Sequence, residues 1–205
     1  MSSKVISKKP QLITIKKKSK NNIFNNSTKS SVKFLNDFSP TSGSELEYNP
    51  EIWDKSSIVE NHNCYTYALG NIVPKLTSKA QPGYASGYSH LNDINECSLF
   101  YDRLKKDSPG SYSENFDNAC LPGFYKIFLA LDPGNDYHWW RQNKDIFWSH
   151  KPGSTSVKDV DGDGLKIKNP YLSSRNFKHR NYYKPCFFAC IYSDLARSLD
   201  VIYSL

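Results

Sequence analysis

A chain of 205 residues is long enough for one well-buried domain with a terminal segment, and too short for two ordinary domains. Hydrophobic residues make up 38% and aromatic residues 14% of the chain, which excludes a wholly disordered protein and favours a β-rich core. No run approaches the roughly 18 consecutive apolar residues of a membrane-spanning helix, and lysines interrupt the N-terminal sequence, so we expect neither a membrane span nor a secretory signal.

The net charge of +7 arises from the N-terminal segment. Residues 1–36 contain nine lysines and no acidic residue, whereas residues 37–205 contain 18 basic and 20 acidic side chains. We predict that residues 1–45 form a disordered basic tail and residues 46–205 a folded domain, because the tail cannot bury enough apolar surface to offset its ordering entropy. The tail would bind nucleic acid, an anionic surface or another subunit, or act only as a solubilising leader. Its candidate contact residues are Lys16, Lys17, Lys18 and Lys20.

The folded part is predicted to contain helices followed by an antiparallel sheet, an α+β arrangement. Residues 64–69 begin a helix capped by Asn61 or Asn63, and residues 99–106 have helical spacing. Residues 81–90 are glycine-rich and predict a loop. Further patterns predict strands at 124–131, 137–142, 146–150 and 186–192, and a short helix at 194–201.

The five cysteines are an odd number and show no CxxC spacing, which argues against both a disulfide scaffold and a zinc ribbon. They are Cys64, Cys97, Cys120, Cys186 and Cys190. Cys186 and Cys190 lie four positions apart in one predicted strand, too far along it for easy bridging, so we predict that they pack in the core. A reducing compartment is the expected location.

Cys64 has the sequence context of a thiol nucleophile. Such a nucleophile requires a lowered pKa, a base within reach and a group that orients the base. Behind an Asn63 cap, Cys64 would lie at a helix N-terminus, where free backbone N–H groups stabilise a thiolate and supply part of an oxyanion hole. Tyr65 follows it as a supporting residue.

Two histidines twelve positions apart could complete this site. Strand alternation places His138, Trp140 and Gln142 on one face, and places Trp148 and His150 on one face of the following strand. If the hairpin brings these faces together, His138 is the general base and His150 orients it, while the tryptophans exclude water. The predicted catalytic residues are Cys64, His138 and His150, and the predicted supporting or substrate-binding residues are Asn63, Tyr65, Trp140, Gln142 and Trp148.

The same residues allow two other interpretations. Cys64 could be an inert core thiol, as buried cysteines commonly are. Cys64, His138 and His150 could also bind zinc with one open position, although the sequence has no HxxxH, HExxH or CxxC motif. We therefore predict no metal and no cofactor. His62, two residues before Cys64, is expected in a flexible segment.

A run of alternating aspartates, DVDGDG, resembles the opening of a calcium loop. The closing position of such a loop requires a bidentate glutamate, and Pro170 stands there. A turn between strands is the predicted structure. The aspartates concerned are Asp159, Asp161 and Asp163.

Five longer runs carry a resemblance to a known family. NHNCYTYAL, AQPGYASG, CLPGFYKIFLALDPGNDYHWWRQN, WSHKPGSTSV and PCFFACI resemble a little-characterised protein family of large DNA viruses, protists and bacteria. The resemblance covers about residues 48–192 and implies a location in the host cytoplasm or in a giant-virus virion.

The order of Cys64, His138 and His150 is also similar to that in NlpC/P60-type papain-like enzymes. This second resemblance implies a papain-like domain in which the helix that carries Cys64 packs on an antiparallel sheet. It assigns Cys64 as nucleophile, His138 as general base and His150 as orienting residue. A longer, helical-looking insertion replaces the usual strand rich in glycine and aspartate.

Two functions are therefore expected from the sequence. The first is a thiol hydrolase, a peptidase or amidase that cleaves an amide bond in a peptide or cell-wall-like substrate. The alternative is a non-enzymatic structural or interaction protein of a virion, with a basic tail that binds nucleic acid.

Overall fold

The computed structural model describes residues 33–73, 79–88, 91 and 93–193. The predicted helix at 194–201 and the lysines of the predicted tail up to residue 32 lie outside the described residues. The described residues from Phe34 onwards belong to one compact unit, which therefore includes residues before the predicted boundary at residue 46.

The described residues form four short α-helices, one 3₁₀ turn and seven strands. The helices are α1 (Pro50–Trp53), α2 (Ser56–Val59), α3 (Cys64–Ala68) and α4 (Cys97–Asp107), and the 3₁₀ turn is Tyr84–Ser86. The strands are β1 (Tyr112–Glu114), β2 (Phe124–Asp132), β3 (Asp136–Gln142), β4 (Trp148–His150), β5 (Asn176–Phe177), β6 (Arg180–Asn181) and β7 (Lys184–Tyr192). Even the longest helix in the described part, α4 with 11 residues, is too short to cross a membrane.

Five strands form an antiparallel sheet in the order β1-β7-β2-β3-β4, and β5 and β6 form a separate hairpin. Helix α3 packs against β3. The predicted α+β architecture, with the helix that carries Cys64 packed on an antiparallel sheet, is confirmed at this level. Both edge strands are only three residues long. The outer side of β4 is covered, because Trp148 and His150 pair with Ile167 and Lys158.

The two faces of the sheet bury separate apolar clusters, because side chains alternate along each strand. On β3, Tyr137 and Trp139 join the cluster that includes Cys64 and residues of α4. Trp140 joins the cluster on the other face. The members of that second cluster include Phe116, Phe128, Trp148, Tyr182 and Phe188.

The predicted strand 146–150 is shorter than expected. It begins at Trp148, because Ile146 has a φ of 69° and therefore turns the chain through the left-handed region instead of extending it. The predicted strands at 124–131, 137–142 and 186–192 are confirmed within two residues at each end.

The expectation that the cysteines form no disulfides is wrong. Cys97 at the start of α4 is bonded to Cys186, and Cys120 in the segment before β2 is bonded to Cys190. Cys186 and Cys190 are not bonded to each other, because each forms its disulfide with a cysteine that is distant in sequence. The odd cysteine is Cys64, which is free and buried.

A buried lysine ties the segment before residue 46 to the sheet. Lys126 on β2 is fully buried and donates hydrogen bonds to Ser39 Oγ at 2.7 Å and to the Asn115 and Phe116 carbonyl oxygens at 2.9 and 3.0 Å. Burial lowers the pKa of Lys126 to about 8. Gln142 on β3 donates to the Ser39 carbonyl oxygen, so residue 39 is fixed by two neighbouring strands.

Candidate functional site

Helix α3 begins with a complete capping box. The Asn63 side chain accepts hydrogen bonds from the N–H groups of Tyr65 and Thr66 at 3.1 Å, and Thr66 Oγ1 accepts from the Asn63 N–H at 3.0 Å. The Asn63 amide also donates to the Ala80 carbonyl oxygen, which fixes the start of the glycine-rich loop. The predicted cap at Asn63 is confirmed, and Cys64 is the first residue of the helix.

The Cys64 thiol is buried against the backbone of β3. Its sulfur lies 3.9 Å from the Tyr137 carbonyl oxygen, to which the S–H donates. Burial raises the pKa of Cys64 to about 12, and a hydrogen bond from the Trp139 backbone N–H offsets this only in part. A thiol nucleophile requires a lowered pKa, so this upward shift of the Cys64 pKa is the opposite of what that role predicts. Removal from water disfavours the thiolate more than the helix N-terminus favours it.

His138 and His150 form a direct hydrogen bond across β3 and β4. The register pairs Trp140 with His150, so His138 lies diagonally opposite, and its Nε2 is 2.7 Å from His150 Nδ1. His150 Nε2 lies 3.1 Å from the Val160 carbonyl oxygen. Burial lowers the pKa of both imidazoles, that of His138 far below its usual value and that of His150 to about 4.

These contacts fix the tautomers of both neutral rings. The Val160 carbonyl oxygen can only accept, so His150 carries its proton on Nε2 and its Nδ1 is an acceptor. His138 Nε2 must then donate to His150 Nδ1, which leaves His138 Nδ1 unprotonated. The pair therefore presents one basic nitrogen, His138 Nδ1, that is available to accept a proton or a hydrogen bond.

The structure brings the two histidines together and places Cys64 on the other side of β3. Cys64 belongs to the cluster that contains Tyr137 and Trp139, whereas the His138 ring contacts Trp140 and Tyr182. Within the described part of the chain, no hydrogen bond joins the Cys64 thiol to either imidazole. A transfer of the thiol proton to His138 would require a rearrangement at the edge of β3.

The five predicted supporting residues have different structural roles. Trp140 contacts both imidazoles, with its ring 4.5 Å from His138 and 5.7 Å from His150. Tyr65 donates its hydroxyl to Asp107, which also accepts from the Gly83 N–H and thus holds the glycine-rich loop against α4. The other three are Asn63, which caps α3, Gln142, which binds residue 39, and Trp148, which is buried in the second cluster.

A cavity of about 250 Å³ opens beside the two imidazoles. Besides the histidines it is lined by Asp136, Pro152, Gly153, Phe177, Arg180 and Tyr182. None of these six lining residues was predicted from the sequence. Asp136 directly precedes the predicted strand 137–142 and could have been considered with it. Phe177 and Arg180 lie on the two-residue strands β5 and β6, which are too short to show an alternation of apolar and polar residues.

Two other sequence predictions are settled by their contacts. His62 is buried and fixed between the Ile58 carbonyl oxygen at 2.9 Å and the Val73 N–H at 3.0 Å, so the expectation of a flexible segment there is wrong. The DVDGDG run is a turn, as predicted, because Asp161 accepts from the N–H groups of Asp163 and Leu165 at 3.0 Å. The described residues contain no group of three or more His, Cys, Asp or Glu side chains arranged to hold a metal ion.

Comparison with known proteins gives one informative relationship. No family model and no solved structure matches the chain. The chain is 32% identical over 128 residues to insoluble matrix shell protein 1 of Ruditapes philippinarum, an alignment that covers 62% of this chain and 80% of that protein. The comparisons provide no basis for the resemblances to the viral family or to NlpC/P60-type enzymes. At this identity and coverage, the chain belongs to the same protein family as insoluble matrix shell protein 1.

Proposed function

We propose that this protein is a non-enzymatic structural or interaction protein. The observation that carries the proposal is its relationship to a protein named for an insoluble shell matrix. The buried Cys64 thiol, with its raised pKa, supports a packing role for that residue. The two disulfides, which tie distant parts of the chain to β7, suit a domain that must stay folded within an assembly.

The disulfides also bear on where the protein functions. Disulfides form and persist in oxidising environments and are rare in reducing ones. In the proposal, an oxidising environment therefore replaces the reducing compartment expected from the cysteine count.

The lysine-rich segment 1–36 supplies an attachment to a polyanion such as nucleic acid. We expect the 205-residue chain to bind double-stranded DNA with an affinity that falls roughly 10³- to 10⁵-fold between about 50 and 200 mM salt, as for a protein that neutralises six to ten phosphates. Deletion of residues 1–32 should abolish this binding, and it retains Phe34, which packs on Phe116, together with the Leu35 and Asn36 N–H groups that bind Asp117. Fluorescence anisotropy with a labelled duplex measures both effects.

The matched control for this deletion removes positive charge from the body. Glutamine replaces four exposed lysines, Lys55, Lys105, Lys144 and Lys158, and this variant should retain most of the affinity. Binding that survives deletion of residues 1–32, or that does not respond to salt, would contradict the proposed attachment.

A thiol hydrolase with a papain-like fold is the second candidate. The observation that favours it is the hydrogen bond from His138 to His150, which orients His138 and leaves its Nδ1 free to accept a proton. In this mechanism the Cys64 thiol gives its proton to His138, and the thiolate attacks an amide carbonyl carbon. Because the Tyr65 and Thr66 N–H groups already bind the Asn63 side chain, the Cys64 N–H would then stabilise the oxyanion.

Alkylation of Cys64 distinguishes the two candidates. Because the thiol is buried and its pKa is raised to about 12, we expect no labelling by iodoacetamide in the folded protein between about pH 4 and 9. The same cysteine should react readily after unfolding in urea without reductant. Peptide mass spectrometry measures both rates. Selective labelling of folded protein with an apparent pKa below about 8.5, lost in a His138→Gln variant, would instead establish the nucleophile–base pair.

A further inference from the structure

The cavity beside His138 has the size of a site for one small ring. Its volume of about 250 Å³ lies just below the roughly 300–1,000 Å³ of cavities that hold drug-sized ligands. The β5–β6 hairpin forms one wall through Phe177, and the backbone at Gly153 forms part of the rim. A Cβ atom built on Gly153 would meet no atom within 4 Å, so this part of the rim is open.

The charges around the cavity compensate each other. Asp136 accepts from Arg180 Nε at 3.2 Å and from the Tyr182 hydroxyl at 3.1 Å, and its other oxygen accepts from the Tyr137 N–H at 2.8 Å. The two imidazoles are neutral, as their contacts and lowered pKa values require. A charged ligand would lose its hydration without gaining a free counter-charge, so the cavity favours a neutral ligand.

The walls combine flat apolar surfaces with one unused acceptor. Tyr182 stacks on His138 at 5.0 Å with an interplanar angle of 25°, and the Phe177 ring lies 5.2 Å from His150. The bond to His150 fixes the tautomer that makes His138 Nδ1 an acceptor, and no hydrogen bond to this nitrogen is found among the described residues. A suitable ligand therefore has a hydroxyl donor beside a flat C–H face.

We propose that this cavity binds one sugar residue. A ring hydroxyl donates to His138 Nδ1, the C–H face of the ring lies against Phe177 and Tyr182, and the outer hydroxyls bind Asp136 and Arg180 at the rim. A pyranose ring satisfies the size, neutrality and mixed polarity of the walls together. This inference goes beyond the proposed structural role and does not rest on it, since that role makes no use of the cavity.

The test uses the folded full-length protein with glucose, galactose, mannose and N-acetylglucosamine as separate probes. Saturation-transfer difference NMR should detect binding of at least one of them, and titration gives its Kd. Phe177→Ala should weaken that binding at least about tenfold, because it removes an aromatic wall on an exposed hairpin. The matched control is Tyr183→Ala, which removes an exposed aromatic ring outside the cavity and should leave the Kd unchanged.

A second measurement reports on the acceptor itself. In protein labelled with ¹⁵N-histidine, saturation with the bound sugar should shift the His138 Nδ1 resonance and leave that of exposed His179 in place. The proposal is overturned if none of the four sugars binds in the millimolar range. It is also overturned if Phe177→Ala binds as tightly as the unaltered protein, or if the His138 Nδ1 resonance does not respond. None of these outcomes affects the DNA-binding or alkylation experiments.

Discussion

Replacement of Cys120 and Cys190 by alanine is expected to lower the free energy of unfolding by about 4 kcal/mol. The disulfide joins residues 70 positions apart, and a cross-link over so long a loop removes much of the conformational entropy of the unfolded chain. Cys97 and Cys186 are separated by 89 positions, so their replacement should have a similar effect. Urea denaturation followed by tryptophan fluorescence measures both losses.

The control for the disulfide variants is Cys64→Ala. It also removes a buried sulfur, but no cross-link, so its expected cost is only about 1 kcal/mol. An equal loss in all three variants would show that the cost comes from core packing and not from the disulfides. Both disulfides end on β7, which lies between β1 and β2. Reduction of both disulfides should therefore destabilise this strand more than replacement of either cysteine pair alone.

Acid is expected to destabilise the protein through the buried histidines. The pKa of His150 is about 4 in the folded state and about 6.5 in the unfolded state. Between these values the unfolded chain binds a proton that the folded chain does not, so the free energy of unfolding falls as the pH falls from 6.5 to 4. For His150 alone the loss is about 3 kcal/mol. His138 and His62, whose pKa values are also lowered by burial, act in the same direction.

The measurement is a series of urea denaturation curves between about pH 4 and 7.5. A double variant, His138→Gln with His150→Gln, replaces the titrating pair by amides that can still form hydrogen bonds. We expect it to be less stable at neutral pH but to lose at least about 3 kcal/mol less on acidification. His179→Gln alters an exposed histidine outside the buried pair and is the matched control. If the double variant loses as much stability on acidification as the unaltered protein, groups other than this histidine pair cause the acid sensitivity.

Local patterns were sufficient to predict most of the elements and the histidine pair. Asn63 was identifiable as a cap because its side chain acts on the helix that follows it. His138 and His150 could be predicted on one face because strand alternation and hairpin register are both local properties.

The remaining features depend on long-range packing. The Cys97–Cys186 and Cys120–Cys190 pairs are set by how α4 and the segment before β2 meet β7, which spacing along the chain does not reveal. Tertiary packing likewise determines which side of β3 contacts α3, and this packing separates Cys64 from the His138 ring. The cavity wall at Phe177 lies on a two-residue strand, too short for any periodic signal.

Under the proposed structural role, the short edge strands of the five-stranded sheet limit how this protein could join an insoluble assembly. Exposed strand edges are the usual starting points of cross-β aggregation, because they offer unpaired N–H and C=O groups to another chain. Here β1 offers only three residues, and the outer side of β4 is already paired with residues 158 and 167. An insoluble assembly of this chain would therefore be a lattice of intact, natively folded units joined through their surfaces or their lysine-rich segments. Such a material should not bind amyloid dyes, and contacts made through the lysine-rich segments should weaken in high salt.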